Sequence, residues 1–437
     1  MILHRSILPP KSAYFTRVSP LAGLVYYVVV VFLIVSAYLE IPFAVADGLY
    51  VPSFFVLCIL PFMLVHLKRD FSISDFYFLT ALACLLLLSV LASPGKEYLS
   101  RKVLGLVQTM ASVVMGLVLV KFFEKVSKKA VSRILLSIIL VIIVGAALEI
   151  LGPLRIISDG FRDYVYFGSP YGVYSAEDRD IALAGFERPK FFASEPSLVA
   201  TGLFVFINSW LVLNPSPRRI MAALFFNATS LYLTASPNMI YSALASLCIY
   251  WVYRGGISKV ASSIFYLLPV FAVIIWALPE EAPERLMARF SDAFFNVDTY
   301  AYTSENIRLV FPFITMFDIL QQSPFFGIGI SGHDLVETYS SLPFDGLSAF
   351  GNNNIAAVFS YLGLVGGPLF FIILYKYVKS CIGYQSLLAF LMCYVGLCLM
   401  MGGLQTPRFW SYVFLFLAAI RRNPVVFTRT TGATRHF

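Results

Sequence analysis

The chain has 437 residues, 59% of them hydrophobic and only 13% charged, with a formal net charge of +8. That balance excludes an ordinary soluble domain, whose helices carry an apolar stripe and a charged opposite face. It does not call for a nucleic-acid partner either, because the cations cluster in short connections between apolar runs, where they act as topology signals.

The apolar runs are long enough to cross a bilayer core of roughly 30 Å as helices. In chain order, spans are predicted near residues 21–38, 50–66, 76–92, 103–123 and 134–152. A first large exterior loop, 153–195, follows. Pro196–Leu213 returns inward, and Ile220–Thr234 and Met239–Tyr253 form a tight hairpin around Ser236-Pro237-Asn238. Val260–Ala277 leads out to a second large exterior loop, 280–353. Ile355–Tyr375, Leu387–Met401 and Phe409–Ile420 complete the set. The expectation is an all-α polytopic membrane protein of about 12 transmembrane helices, residues 1–437 forming one helical bundle. Within the second loop, Leu309–Leu320 is too short to span and contains Pro312 and Asp318, which suits a helix lying at the membrane–water interface.

Sidedness follows from the basic connections. Lys68 and Arg69, the group Lys121 to Arg133, Arg218 and Arg219, and Lys376 and Lys379 fall in alternate connections, which the positive-inside rule assigns to the cytoplasm with both termini. The gap 280–353 holds ten carboxylates against Arg285, Arg289 and Arg308 and belongs outside. Lys96, Arg101 and Lys102 break the pattern, standing in a connection placed outside. Glu149 reads as the sole charge embedded in a span, near its outer end. A transporter or lipid-linked glycan flippase would place ionisable groups deep in spans or pair broken helices at midplane.

Neither exterior loop contains cysteine, so no disulfide framework or thiolate metal site is expected. No exterior cluster of His, Cys or carboxylate has metal-ligand spacing, and no metal or cofactor is expected. The run Ala44-Val45-Ala46 resembles a signal cleavage site, but the preceding apolar run is too long for a signal h-region, so it reads as a retained span.

Polar residues with chemical capacity gather in the two exterior loops. Arg188 and Lys190 precede Glu195-Pro196-Ser197, where the sixth span begins. Glu195 with Pro196 suits a helix start, since acids and proline favour the first turn. It also suits a proton acceptor beside two phosphate-gripping cations, Arg188 offering a bidentate fork. The second loop carries Arg308, then Pro324-x-x-Gly327-x-Gly329, then Asn352-Asn353-Asn354 at the mouth of the tenth span. Singly, the glycines mark a turn, the asparagines cap a helix and Arg308 snorkels. His333 is the histidine of the exterior loops, and Tyr164, Tyr166, Phe167, Tyr171 and Tyr174 could stack on sugar rings or form an interfacial belt.

Taken in order, these motifs are similar to the O-antigen polymerase and ligase superfamily, the Wzy-type polymerases and lipid-A core ligases. The shared order is a long exterior loop ending in Arg and Glu-Pro-Ser, a short polar hairpin, an Arg-bearing interfacial helix ending in Pro-x-x-Gly-x-Gly, and an Asn-rich helix start. Gly363-Leu364-Val365-Gly366 follows ten residues after Asn353. The likeness covers roughly residues 150–370 in motif order. It implies a metal-independent glycosyltransferase of the bacterial inner membrane, working on its periplasmic face. Such an enzyme polymerises polyprenyl-diphosphate-linked oligosaccharide repeats into O-antigen, capsule or exopolysaccharide, with room for a chain-length regulator protein as partner. It implies phosphate-gripping roles for Arg188 and Arg308, and structural or substrate-contact roles for Glu195, Gly327, Gly329 and Asn353; Lys190, His333 and Asn352 complete the candidate substrate-binding set. Ligase relatives often carry His where this chain has Asn352, and relatives often have Ser-Arg where it has Ser236-Pro237. The glycine often found between the first-loop Arg and Glu-Pro is also absent. The missing His counts against the ligase alternative, transfer of finished glycan to lipid A core.

Overall fold

The computed structural model describes residues 20–46, 49–166, 180–181, 186–236, 238–254, 306–342 and 352–423. The predicted span at 260–277, and Phe167, Tyr171, Tyr174 and Pro237, lie outside the described residues. The regular elements of the described residues are helices apart from one two-stranded antiparallel hairpin, β1 (Pro42–Ala46) with β2 (Leu49–Pro52). The long helices are α1 (Pro20–Leu39), α2 (Phe54–Leu67), α3 (Ile73–Ala92), α4 (Leu99–Lys125), α5 (Lys128–Ile150), α6 (Arg155–Tyr166), α7 (Pro196–Leu213), α8 (Pro217–Thr234), α9 (Asn238–Arg254), α10 (Phe311–Gln322), α11 (Asn354–Met400) and α12 (Pro407–Arg421). Among the described residues, five helical stretches are long and apolar enough to cross a membrane: Ile73–Ala92, Lys96–Lys125, Lys128–Ile150, Pro196–Leu213 and Asn354–Tyr384.

Helix starts follow local chemistry. Ser72 and Asp75 form a capping box on α3, Ser127 caps α5, and Ser216 and Thr406 cap α8 and α12 just ahead of Pro217 and Pro407. The bundle is centred on α7 and α12. Every residue of α12 from Pro407 to Ile420 is buried, and so is nearly all of α7. The last predicted span is therefore the middle of the molecule. By contrast α5 exposes Leu140, Val141, Val144 and Leu148 along one stripe.

The bundle has two chemically distinct ends, here called the loop end, carrying Glu195 and Arg308, and the basic end, carrying Lys121 and Arg421. At the basic end Lys121 and Asp75 form a buried ion pair (2.6 Å) to which Tyr377 donates (2.8 Å). Glu149 is thus not the sole charge buried within a helix, as the sequence suggests. Arg422 donates to the last carbonyls of α4, Phe123 and Val126, and Arg421 pairs with Glu124 (2.8 Å). Between the ends, Asn208 of α7 bonds Ser242 and Ser246 of α9 (3.0 and 2.8 Å), and Asn227 of α8 reaches Ser246 (3.2 Å). Such bonds hold membrane helices together at a typical ~0.6 kcal/mol each.

Helix α11 merges the two predicted spans 355–375 and 387–401 and is broken at Gly363 (φ 69°) and Gly383 (φ 74°). Its two ends meet the same residue. Asn353, at its start, donates to the Arg308 carbonyl (3.1 Å), and the Met400 carbonyl, at its finish, accepts from the Arg308 guanidinium (3.1 Å). Tyr377, between them, touches Asp75 at the basic end, so the chain reverses at Gly383.

The break at Gly363 is spliced. An α-helix would bond the Ser360 and Tyr361 carbonyls to the amides four residues on. Instead Ile328 and Gly329 donate to Ser360 and Tyr361 (2.9 and 3.0 Å), while Leu364 and Val365 donate to Pro324 and Phe325 (2.7 and 3.1 Å). The Pro-x-x-Gly-x-Gly loop thus supplies all four missing partners, as irregular backbone at membrane depth requires. Glycine is needed on both sides. A Cβ on Gly327 would lie 2.1 Å from the Ser360 carbonyl oxygen, and one on Gly363 would lie 2.3 Å from that of Phe325.

Three further sequence expectations change here. The run 50–66 is not one helix: its first residues pair in β2, and α2 starts at Phe54. The loop 153–195 contains α6, which its short polar-looking segment conceals. Two of the unexplained cations, both in the first turn of α4, have partners: Lys102 donates to Ser93 (2.9 Å) and to the Pro94 carbonyl, closing off the end of α3, and Arg101 pairs with Asp334. The segment 309–320, expected to be a helix at the membrane–water interface, is helical as α10, preceded by a π-helical turn, Asn306–Val310.

Candidate functional site

The segment leading to Glu195 is held from three sides. Glu149, in the last turn of α5, accepts the backbone N–H groups of Lys190 (2.9 Å) and Phe191 (2.6 Å). Ser158 of α6 accepts that of Phe192 (3.1 Å). Tyr38 donates to the Phe191 carbonyl (3.1 Å), and Tyr166 donates to those of Phe192 (3.1 Å) and Leu39 (2.5 Å). Burial pushes the Tyr166 phenol up to about 12, which keeps it a donor at any physiological pH. Phe191 and Phe192 both hold positive φ (37° and 63°), a conformation costing about 1–2 kcal/mol per residue. The two backbone N–H groups accepted by Glu149 hold the kink against this strain. Gly145 makes room: a Cβ there would stand 1.8 Å from the Phe191 ring. The kink turns the chain into extended Glu195, the residue before α7, with Pro196 in its first turn.

Glu195 ends up beside Arg308. Its Oε1 lies 3.7 Å from the guanidinium and accepts from the Ser197 hydroxyl (2.5 Å). Both charged side chains are partly open to their surroundings, Glu195 at 41% and Arg308 at 21%. Helix dipoles suit both, the carboxylate at the start of α7 and the cation at the finish of α11. Asn353 fixes Arg308 through its carbonyl while its own Oδ1 caps α11 by accepting from Ile355 and Ala356 (3.0 and 3.2 Å). Of the candidates read from sequence, the structure therefore brings Glu195, Arg308 and Asn353 to one place, Glu195 from a segment more than a hundred residues away from the other two.

The others lie in their own local arrangements. Arg188 is bonded to the buried Asp180 (2.7 and 2.8 Å). Lys190, itself buried, pairs with Glu187 (3.0 Å), which also meets Arg155 (3.1 Å). Gly327 and Gly329 belong to the splice at Gly363. The His333 ring lies 3.1 Å from the Tyr361 hydroxyl, and burial lowers its pKa. Asn352 sits in the turn before Asn353. Among the described residues no group of three or more His, Cys, Asp or Glu is placed to hold a metal ion.

Sequence reading passed over several contributors. Ser197 was visible only as part of Glu-Pro-Ser, and Ser158 carried no signal. Glu40 and Arg408 form a buried ion pair (3.1 Å) at the loop end, and Arg408 also donates to the carbonyls of Ala37, Tyr38 and Leu39, closing off α1. Burial raises the pKa of Glu40 and the Arg408 charge opposes that rise.

No protein-family model matches the chain, and no curated protein matches it. A partly open carboxylate next to a fixed guanidinium can accept a proton from a hydroxyl while the cation steadies a departing anion.

Proposed function

We propose that the chain is a membrane glycosyltransferase that polymerises polyprenyl-diphosphate-linked oligosaccharide repeats on the exterior face of the bacterial inner membrane. The observation that carries this reading is the meeting of Glu195 and Arg308 at the loop end (3.7 Å). The motif order that resembles the O-antigen polymerase and ligase superfamily supports it. In the proposed reaction a sugar hydroxyl of the acceptor attacks the anomeric carbon of the donor. A carbon–oxygen glycosidic bond forms and the bond from that carbon to the diphosphate oxygen breaks. Glu195 takes the hydroxyl proton, and the leaving diphosphate carries its electron pair and negative charge towards Arg308. Arg188 and Lys190, paired with Asp180 and Glu187, steady the first-loop segment that leads to Glu195, and Asn353 positions Arg308 through its carbonyl.

The ligase alternative keeps the same chemistry with a different acceptor. A transporter or flippase draws support from the break at Gly363, since broken helices mark transport sites. The freed backbone groups there are bonded to the loop, which leaves them no role in holding a solute.

The test is the surface glycan of a deletion strain, displayed as a size ladder. Glycan carrying a single repeat on its acceptor is expected, and full-length polymer stranded on the polyprenyl carrier would overturn the polymerase reading in favour of a ligase. In the complemented strain, Glu195→Gln and Arg308→Ala should each lower polymer about a hundredfold, the size of one lost transition-state contact. Near-normal polymer from both variants, at normal protein accumulation, would remove the site.

A further inference from the structure

Helix α6 has two unlike faces. Ser158, Arg162 and Tyr166 are buried against the segment that leads to Glu195. On the opposite side Ile156, Ile157 and Tyr164 are 84%, 60% and 90% exposed, with Gly160 between them, while Phe161 at the edge of this arc packs against Phe192. Spacings of four, seven and eight residues put Ile156, Ile157, Gly160 and Tyr164 on one side of a helix. In water that arrangement leaves large apolar side chains without cover.

The surroundings say what covers them. The lipid-facing stripe of α5, Leu140, Val141, Val144 and Leu148, continues into Leu151, which is 76% exposed. Gly152 (φ 100°) and Pro153 then turn the chain, and α6 begins at Arg155. The exposed face of α6 therefore follows directly on a surface that meets acyl chains, at the level where a membrane-crossing helix ends. Asp159 and Asp163 border this face on one side, and Arg155 and Arg162 stand on the buried side, where Arg155 pairs with Glu187. An amphipathic helix of this kind buries its apolar face about 5–10 Å into the boundary between headgroups and acyl chains.

We propose that α6 is a surface anchor whose Ile156, Ile157 and Tyr164 insert into the lipids of the leaflet at the loop end. The opposite face is already bonded to the Glu195 segment, through Ser158 to Phe192, Tyr166 to Phe192 and Arg155 to Glu187 (3.1 Å each). Lipid thereby sets the height of that segment relative to the bilayer. The inference does not depend on the chemistry assigned to Glu195.

The full chain in lipid nanodiscs gives the test. Nitroxide labels are placed one at a time by Ile156→Cys, Ile157→Cys and Tyr164→Cys, with Thr338→Cys as an exposed loop reference, in a chain whose six native cysteines are replaced. Collision with dissolved oxygen, which concentrates in acyl chains, is compared with collision with a water-soluble nickel chelate. The ratio of oxygen to nickel accessibility is expected to be severalfold higher at the three α6 positions than at 338. A ratio equal to that at 338 would show a solvated face, and protection from both reagents would show a polypeptide cover. Either result overturns the proposal. Tyr164→Trp in the chain with native cysteines offers an independent reading. Extra fluorescence quenching by lipids brominated near the headgroup is expected, and no extra quenching over the unsubstituted chain would count against lipid contact.

Discussion

At the scale of single residues, buried charge separates side chains that look alike in sequence. Arg408 and Arg101 are each one member of an ion pair at the loop end, but the Arg408 side chain is 4% exposed and that of Arg101 66%. Removing one partner of a buried pair leaves the other uncompensated and costs about 3–5 kcal/mol, whereas an exposed pair contributes about 0–1 kcal/mol. Arg408→Met should therefore lower the detergent melting temperature sharply or prevent accumulation, and Arg101→Ala should leave it nearly unchanged. Equal effects of the two would contradict the burial pattern. His333 adds a pH dependence. Burial against Tyr361 lowers its folded pKa below the usual ~6.5, so the unfolded chain takes up the proton first. This contribution to stability is present above about pH 6.5 and declines as pH falls towards the folded pKa. Melting followed from pH 7.5 to 5.5 should show a decline that is smaller in His333→Gln, and an unchanged slope in that variant would assign the decline to other groups.

Among the elements, the splice at Gly363 repays the closest reading, because it joins two motifs whose partnership is not written in either. Pro-x-x-Gly-x-Gly reads as a turn, and Gly363-Leu364-Val365-Gly366 reads only as a motif ten residues after Asn353. Only folding shows that the amides of one answer the carbonyls of the other. Gly327→Ala and Gly363→Ala should both reduce folded protein severely, measured by fluorescence-detected size exclusion, since each Cβ would collide with backbone. Gly152→Ala meets nothing within 4 Å and pays only for its positive φ, so its effect should be milder. The positions of most helices were legible in the sequence, because an apolar run bounded by Ser, Thr, Asp or Pro leaves little choice. The start of α7 at Pro196 is an example. What could not be read was pairing across distance: Glu149 with the amides of 190 and 191, Arg308 with Glu195, Lys102 with the end of α3. Helix α6 was hidden for a different reason, since its period was present but too short and too polar to stand out from a loop.

For the whole molecule, orientation is the property most open to direct test. The charge pattern places the basic end in the cytoplasm, and the proposed chemistry needs the loop end outside. Ser127 and Thr338 are both exposed and lie in connections at opposite ends. Thr338→Cys should react with an impermeant thiol reagent in intact spheroplasts, and Ser127→Cys only after lysis. The reverse pattern would invert the protein and with it the proposed function. One more consequence belongs to the spliced break. Four backbone bonds tie residues 324–329 to α11, so neither partner can open without releasing the other. The amides of Ile328, Gly329, Leu364 and Val365 should then exchange deuterium at a common slow rate, as one cooperative unit, although they belong to a loop and a helix more than thirty residues apart.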